Sequence, residues 1–498
     1  MGVSDFVLFF GNQIGYTSVL YYLFLPFVVL MYYLFPKKHR WLVLLMASAL
    51  FYRWLFSGHR CILLFVTTIL MSWLFGLLIE ITRGCSLRIR KVVLAGSLFA
   101  VLSPLLIMNI TKMVMPIAGE RMGAFHPIVP VGLSFYTLQI AAYLSDIYSG
   151  KVNAQHNLLK YALFISFFPQ IVQGPIPRYE DLAHQLTEGQ EFNPDNIHHG
   201  FQCILWGFFL KYMIADKAGI VVNTVFGNSS AYSGLYYAVA GSLYSIQLYA
   251  DFLACTTLSI GAASLFGIRL SENFYHPYFA NSIREFWRRW HISLSTWLRD
   301  YIYIPLGGNR KGKTQKYLNL IITFMISGFW HGGTLKFLFW GGLHGIYQIA
   351  GEMTYAIRDH IWSLLGLGSG SKLKAVLQAI ATFILVTLGW IIFRADTLQA
   401  GVHMIYSIVF DFNPWVLSGN YLFDLGLSQN EWTVLMLSVF LLLGVSLLQE
   451  KRYKIGKALM KLNVVFRFAI YLAGILVVMI YGTYGFEFNA SDFIYRGF

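Results

Sequence analysis

Apolar runs recur along most of this chain, at residues 20–35, 41–56, 61–81, 92–110, 161–173, 204–222, 235–260, 317–329, 335–349, 373–393, 432–448 and 464–484. A helix that crosses a bilayer needs about 17–25 apolar residues, so the runs predict about eleven spans. The expected fold class is all-α: a polytopic integral membrane protein with added re-entrant or interfacial helices. Residues 1–15 show no basic start followed by a small-residue cleavage site, so the first apolar segment is expected to be retained as a span. The whole chain, 1–498, reads as one polytopic unit in three zones: N-terminal spans (1–110), a core richer in polar chemistry (111–350) and C-terminal spans (351–498).

The middle zone departs from the plain pattern in several places. Residues 127–150 read PIVPVGLSFYTLQIAAYLSDIYSG, with Gln139, Tyr143 and Asp146 on one face of an otherwise apolar helix. Residues 169–178 read PQIVQGPIPR, whose prolines and glycine cannot continue a regular helix. Non-helical backbone at membrane depth needs protein or a water-filled cavity around it, so a re-entrant or interfacial element is expected. Gln247 and Asp251, four apart in an apolar run, form a polar face that either bonds another helix or lines a substrate path.

Residues 282–301 read as a single amphipathic helix. Ser282 and Glu285 make a capping box at its start. Ile283, Phe286, Trp287, Trp290, Leu294, Trp297 and Tyr301 follow at spacings of three and four as an apolar stripe. The opposite stripe is Arg284, Arg288, His291, Ser295 and Arg299, which puts His291 among guanidinium groups. The stretch from Pro305 to Asn309 ends the helix. Further on, His331 sits in GFWHGG after an apolar run; its flanking glycines let backbone or a ligand come close. An imidazole titrates near neutral pH and can take a proton from a hydroxyl. His344 follows in a second glycine-rich run. The histidines have no ligand-spaced companions, so no metal site is expected.

Composition fits this picture. The 498 residues are 57% hydrophobic and 12% charged, against about 25% charged in soluble domains. The net charge of +14 is concentrated in loops, at Lys37–Arg40, Arg83–Lys91 and Lys451–Lys461. By the positive-inside rule those loops are cytoplasmic and the N-terminus is outside. No basic stripe lies on a soluble module, so nucleic acid is excluded as a partner. The four cysteines are isolated, and Cys61 and Cys203 read as small core side chains. Between Arg284 and Lys316, eight basic residues face two acids. They serve either an interfacial helix with snorkelling arginines or a cytoplasmic mouth for a phosphate-bearing ligand.

Several segments resemble the membrane-bound O-acyltransferase superfamily, and within it the bacterial alginate O-acetyltransferase branch. They are PVGLSFYTLQIAAYLSDIYSG (130–150), ENFYHPYFANSIREFWRRWHISLSTWLRDYIYIPLGGNR (272–310) and SGFWHGGTLKFLFWGGLHG (327–345). Shorter matches are FPQIVQGPIPR (168–178), GWIIFRA (389–395) and the terminal FIYRGF (493–498), where Arg496 replaces a common aromatic. The resemblance implies a helical membrane fold around a central tunnel. It also implies a catalytic histidine at His331, with His291 as the second polar site residue. Residues assigned to donor or substrate binding are Arg284, Arg288, Trp290, Ser295, Arg299, Asp300, Asn309, Trp330, His344, Gln139, Tyr143, Gln247 and Asp251.

The implied reaction moves an acetyl or other acyl group from a cytoplasmic thioester to a hydroxyl. No tightly bound cofactor is expected; acetyl-CoA or a carrier-protein phosphopantetheine thioester would be the donor substrate. Implied partners are the lipid bilayer, an exported polysaccharide or an extracytoplasmic serine-esterase-like (SGNH) acetyltransferase, and an acyl carrier protein. The implied location is the bacterial cytoplasmic membrane. Two other readings stay open: D-alanyl transfer to teichoic acid from a carrier protein, and a non-enzymatic polysaccharide channel.

Overall fold

The structure, a computed structural model, describes residues 16, 18–55, 58–118, 130–368 and 370–484. The 1–15 segment, the first residues of the 127–150 stretch and the terminal FIYRGF with Arg496 lie outside the described residues. Every regular element among the described residues is helical. The described residues divide into two compact units: those up to 207 with 255–272 form the first, and 208–254 with those from 273 onward the second.

The first unit holds α1 (Val19–Leu34), α2 (Arg40–Leu55), α3 (His59–Ile81), α4 (Leu87–Ala118), α5 (Leu133–Ser149), α6 (Leu158–Ser166), α7 (Tyr179–Glu188) and most of α8 (Pro194–Phe208). Short polar residues start several of these helices. The Ser18 side chain accepts from the Tyr21 amide at α1, and that of Asn157 from the Lys160 amide at α6. Interior bonds tie the helices together: the Tyr161 hydroxyl donates to Ser72 Oγ (2.8 Å) and Trp73 Nε1 to the Gln155 carbonyl (2.7 Å). Gly76 lets Tyr143 approach α3; a Cβ there would stand 3.1 Å from the tyrosine ring.

The second unit holds α9 (Asp216–Gly227), the larger part of α10 (Leu235–Ser264), then α11 (Ile283–Arg289), α12 (Ile292–Leu298), α13 (Gly312–His331), α14 (Leu335–Met353) and α15 (Tyr355–Leu364). It continues with α16 (Lys372–Arg394), α17 (Leu398–Phe410), α18 (Gln429–Glu450), α19 (Ile455–Met460) and α20 (Val464–Tyr481). Two π-helical turns interrupt the α geometry, at Phe209–Ala215 and Arg299–Tyr303. The hairpin of α13 and α14 packs backbone on backbone. A Cβ on Gly328 would stand 2.1 Å from the Phe337 carbonyl oxygen, and one on Gly341 2.2 Å from that of Phe324. Small residues at such a crossing are the usual means of close helix approach in a membrane.

Among the described residues, six helices are long and apolar enough to cross a bilayer: His59–Gly84, Leu87–Val114, Leu235–Ser264, Lys372–Arg394, Gln429–Glu450 and Val464–Tyr481. Their surroundings differ sharply. Of the span in α10, 72% is buried within the protein, whereas 6% of α20 is, so most residues of α20 are free to face lipid. The remaining predicted runs form shorter or more polar helices. The run at 161–173 is not a span: α6 ends at Ser166, and the proline- and glycine-rich chain beyond it turns and then extends. Most of this irregular segment is buried in protein, as non-helical backbone away from water requires. The run at 204–222 is divided among α8, a π-helical turn and α9. The apolar α17 was not among the predicted runs. Cys61 and Cys203 are only half-buried, and Cys255 is the fully buried cysteine.

Candidate active site

The structure replaces the predicted 282–301 helix with two short helices and a π-helical turn. α11 begins as expected, with the Glu285 amide donating to Ser282 Oγ (3.2 Å) and Glu285 Oε2 accepting from the Asn281 amide (2.9 Å). It then stops at Arg289. His291 takes a left-handed conformation (φ 43°, ψ 56°) that few residues with a Cβ adopt. Asn273 braces the turn: its carbonyl accepts from the Ile292 amide (2.9 Å) and its side-chain oxygen from the Ser293 amide (3.1 Å).

That single break changes the neighbourhood of the histidine. In one continuous helix His291 would lie on the arginine face. Here Trp290 and His291 both turn inward and are 1% exposed, while Arg284, Arg288 and Arg299 remain at the surface. The apolar stripe survives, because Ile283, Phe286, Trp287, Leu294 and Trp297 are buried on either side of the break.

His331 is the last residue of α13 and is 3% exposed. The ring of Trp330 contacts both histidines, 4.7 Å from that of His331 and 6.1 Å from that of His291. Phe252 of α10 meets His291 edge to face at 4.7 Å, while Trp340 and Phe393 flank His331 at 5.3 and 5.4 Å. Residues forty positions apart therefore meet the same Trp330 ring within one unit. His344 is fully buried on α14, where its Nδ1 accepts from Trp287 Nε1 (3.3 Å). A shell of indole and phenyl rings thus holds three imidazoles away from water, where a neutral imidazole can exchange a proton without competition from solvent.

Comparison with known proteins agrees with the geometry. The membrane-bound O-acyltransferase family model matches residues 151–392. The protein named Probable alginate O-acetylase AlgI of Pseudomonas fluorescens is 35% identical over 404 residues, covering 81% of this chain and 76% of its own. The peptidoglycan O-acetyltransferase of Helicobacter pylori is 33% identical over 439 residues, covering 81% and 80%. The chain belongs to the membrane-bound O-acyltransferase family. It is a multi-pass membrane acyltransferase. A more local match, to the teichoic acid D-alanyltransferase of Bacillus subtilis, is 30% identical over 233 residues and covers 43% of this chain and 57% of that one.

The other predicted site residues of this acyltransferase fall into separate groups. Ser295 donates to the Trp290 carbonyl (3.2 Å) and so satisfies the end of α11. Arg299 pairs with Asp300 (2.8 Å) at the surface, and Asn309 accepts from the Tyr303 hydroxyl. Gln139 and Tyr143 belong to α5 of the first unit, where the Gln139 amide donates to the Phe164 carbonyl (2.8 Å) and the Tyr143 hydroxyl accepts from the Gln155 amide (2.8 Å). Those bonds knit local structure. Asp251 of α10 does bond another element: Lys211 Nζ lies 2.9 Å from both Asp251 and Asp216, all three buried. Gln247, one turn earlier, lies against Gly219 of α9, where a Cβ would stand 2.7 Å from its Nε2.

Sequence reasoning passed over several residues with structural work in this unit. Lys211 and Asp216 were visible as charges inside an apolar run, which is the signal for a paired ionic group in a membrane protein. Arg289 forks onto Glu450 (2.9 and 3.0 Å) and also reaches Glu285 (2.7 Å), which ties α11 to α18. Asn319 is fully buried and its amide donates to the Leu306 (3.3 Å) and Gly308 (3.1 Å) carbonyls, anchoring the glycine turn before α13. Nothing in the local sequence marks Asn319, because its partners lie in a separate turn.

Proposed function

We propose that this acyltransferase moves an acetyl group from a cytoplasmic thioester, of the coenzyme A class, to a hydroxyl of an exported polysaccharide or of an extracytoplasmic partner protein. One observation carries the reading: in a chain of this family, His291 and His331 are buried together around the Trp330 ring. In this mechanism His331 removes the proton from the acceptor hydroxyl as its oxygen attacks the thioester carbonyl carbon. The carbon–sulfur bond then breaks, and the protonated imidazole returns the proton to the departing thiolate. His291 orients the acceptor or the base. The exposed Arg284, Arg288 and Arg299 attract the donor's phosphates, since guanidinium forks match phosphate oxygens.

The choice of acetyl over D-alanyl rests on the comparisons. Relatives matched along most of their length carry alginate and peptidoglycan O-acetylation in their names, whereas the D-alanyl relative aligns over less than half of this chain. The bacterial cytoplasmic membrane is the location this reading requires. The test is a membrane assay with radiolabelled acetyl-CoA and polysaccharide acceptor. The account predicts alkali-labile label on the polymer or on a partner protein. Label that appears only with a D-alanyl carrier protein supports the related enzyme branch. Export of unmodified polymer without consumption of acetyl-CoA supports a channel.

A further inference from the structure

Arg288 and Arg289 are consecutive but have different fates. Arg288 stays exposed, whereas Arg289 is half-buried and held by three partners. Its guanidinium forks onto both Glu450 oxygens (2.9 and 3.0 Å), reaches Glu285 (2.7 Å) and packs over the Tyr275 ring, 5.5 Å from the ring centre. The Arg289 carbonyl also accepts from the Tyr275 amide (2.9 Å), so backbone and side chain meet the same residue. A bidentate guanidinium–carboxylate pair fixes orientation as well as distance.

The backbone around this contact is strained. Among the described residues, three with a Cβ take the left-handed conformation: His276 (φ 44°), His291 (φ 43°) and Arg452 (φ 63°). Each lies within two positions of a member of the contact. His276 follows Tyr275, His291 is two past Arg289, and Arg452 is two past Glu450. Such a conformation persists only where its surroundings hold it, and it gathers at functional sites. His291 is bracketed in this way. The Tyr275 bond to the Arg289 carbonyl stands before it, and the Asn273 bonds to the Ile292 and Ser293 amides stand after it. All of these residues belong to the second unit.

We propose that Arg289 and Glu450 are positioning residues for His291. Their fork fixes the segment that enters the left-handed turn and, through it, the direction of the imidazole. This rests on the proposed role of His291. Glu450 ends α18, so a C-terminal helix sets the geometry of the site through an ion pair. The same pairing withdraws Arg289 from donor binding, because two carboxylates already neutralise its guanidinium.

The test uses full-length enzyme in proteoliposomes, with acetyl-CoA and the polysaccharide acceptor of the assay above. Glu450→Gln keeps the side-chain size but loses the fork. It should lower kcat about 10- to 100-fold and leave KM for acetyl-CoA unchanged. Glu450→Asp keeps both oxygens and should retain more kcat than Glu450→Gln. In a His291→Ala background, Glu450→Gln should change kcat by less than about 2-fold, because the residue it positions is gone. Equal fold losses in the two backgrounds would show that the fork acts elsewhere and overturn the proposal. A lower melting temperature with wild-type kcat in the folded enzyme would overturn it too, leaving the pair a purely structural tie. A raised KM for acetyl-CoA with kcat held would also overturn it, by making Arg289 a donor-binding arginine. The two claims fail separately: His291→Ala at the wild-type rate removes His291 from the mechanism and the clamp with it. A slow His291→Ala beside a wild-type Glu450→Gln removes the clamp alone.

Discussion

Gly328 offers a sharp test of how the active site is held. It lies three residues before His331, where α13 crosses α14 with its backbone against the Phe337 carbonyl. Gly328→Ala would put a methyl carbon 2.1 Å from that oxygen, when such contacts ordinarily close no nearer than about 3.3 Å. Neither backbone has a flexible end to move aside, so the helices must separate by about 1 Å. Overpacking of this kind costs about 1–3 kcal/mol. A displacement of about 1 Å at catalytic groups lowers rates about 100-fold. His331 is on one helix of the pair and Trp340 and His344 are on the other, so the variant should lose far more activity than stability. The control is Gly342→Ala, on the same hairpin, where a Cβ meets no atom within 4 Å. Replacing a helical glycine there should be neutral or add up to about 1 kcal/mol. Both variants would be compared by melting in detergent and by acetyl transfer. The packing argument fails if Gly328→Ala keeps wild-type activity, or if Gly342→Ala is equally damaging.

Three further outcomes follow from other contacts. Lys211→Met leaves Asp216 and Asp251 buried without their shared cation and should destabilise the second unit by about 3–5 kcal/mol, read as a lower melting temperature; an unchanged melting curve would show that the pairing is dispensable. Asn273→Ala strands the buried Ser293 amide and should cost about 1–3 kcal/mol, with activity falling further because the left-handed turn at His291 loosens; a stability loss with full activity would contradict that link. Neutralising Arg284 and Arg288 together should raise KM for acetyl-CoA several-fold at low salt and leave kcat unchanged, and the difference should shrink as salt screens exposed charge; equal KM at every salt concentration removes these arginines from donor binding.

The sequence made much of this architecture legible, and its failures have identifiable causes. Long apolar runs report helices directly, and the glycines flanking His331 signalled that backbone or a ligand comes close there. The break at His291 was hidden because the apolar period runs through it: Trp290, Leu294 and Trp297 keep helical spacing and are all buried. Only the amides of Ile292 and Ser293, held by Asn273 from another segment, reveal the left-handed turn. The predicted arginine face around His291 failed for the same reason. Lys211 and Asp251 are forty residues apart, so their pairing is a fact of topology that no local pattern carries. The run at 161–173 misled because hydropathy alone does not register that Pro169 and the buried turns after Ser166 end the helix.

The most direct measurement of the central claim is the initial rate of acetyl transfer from radiolabelled acetyl-CoA by purified His331→Ala, in a preparation whose melting matches wild type. Loss of a general base predicts a fall of about 100- to 10,000-fold. A folded His331→Ala enzyme that transfers acetyl at the wild-type rate would contradict the account.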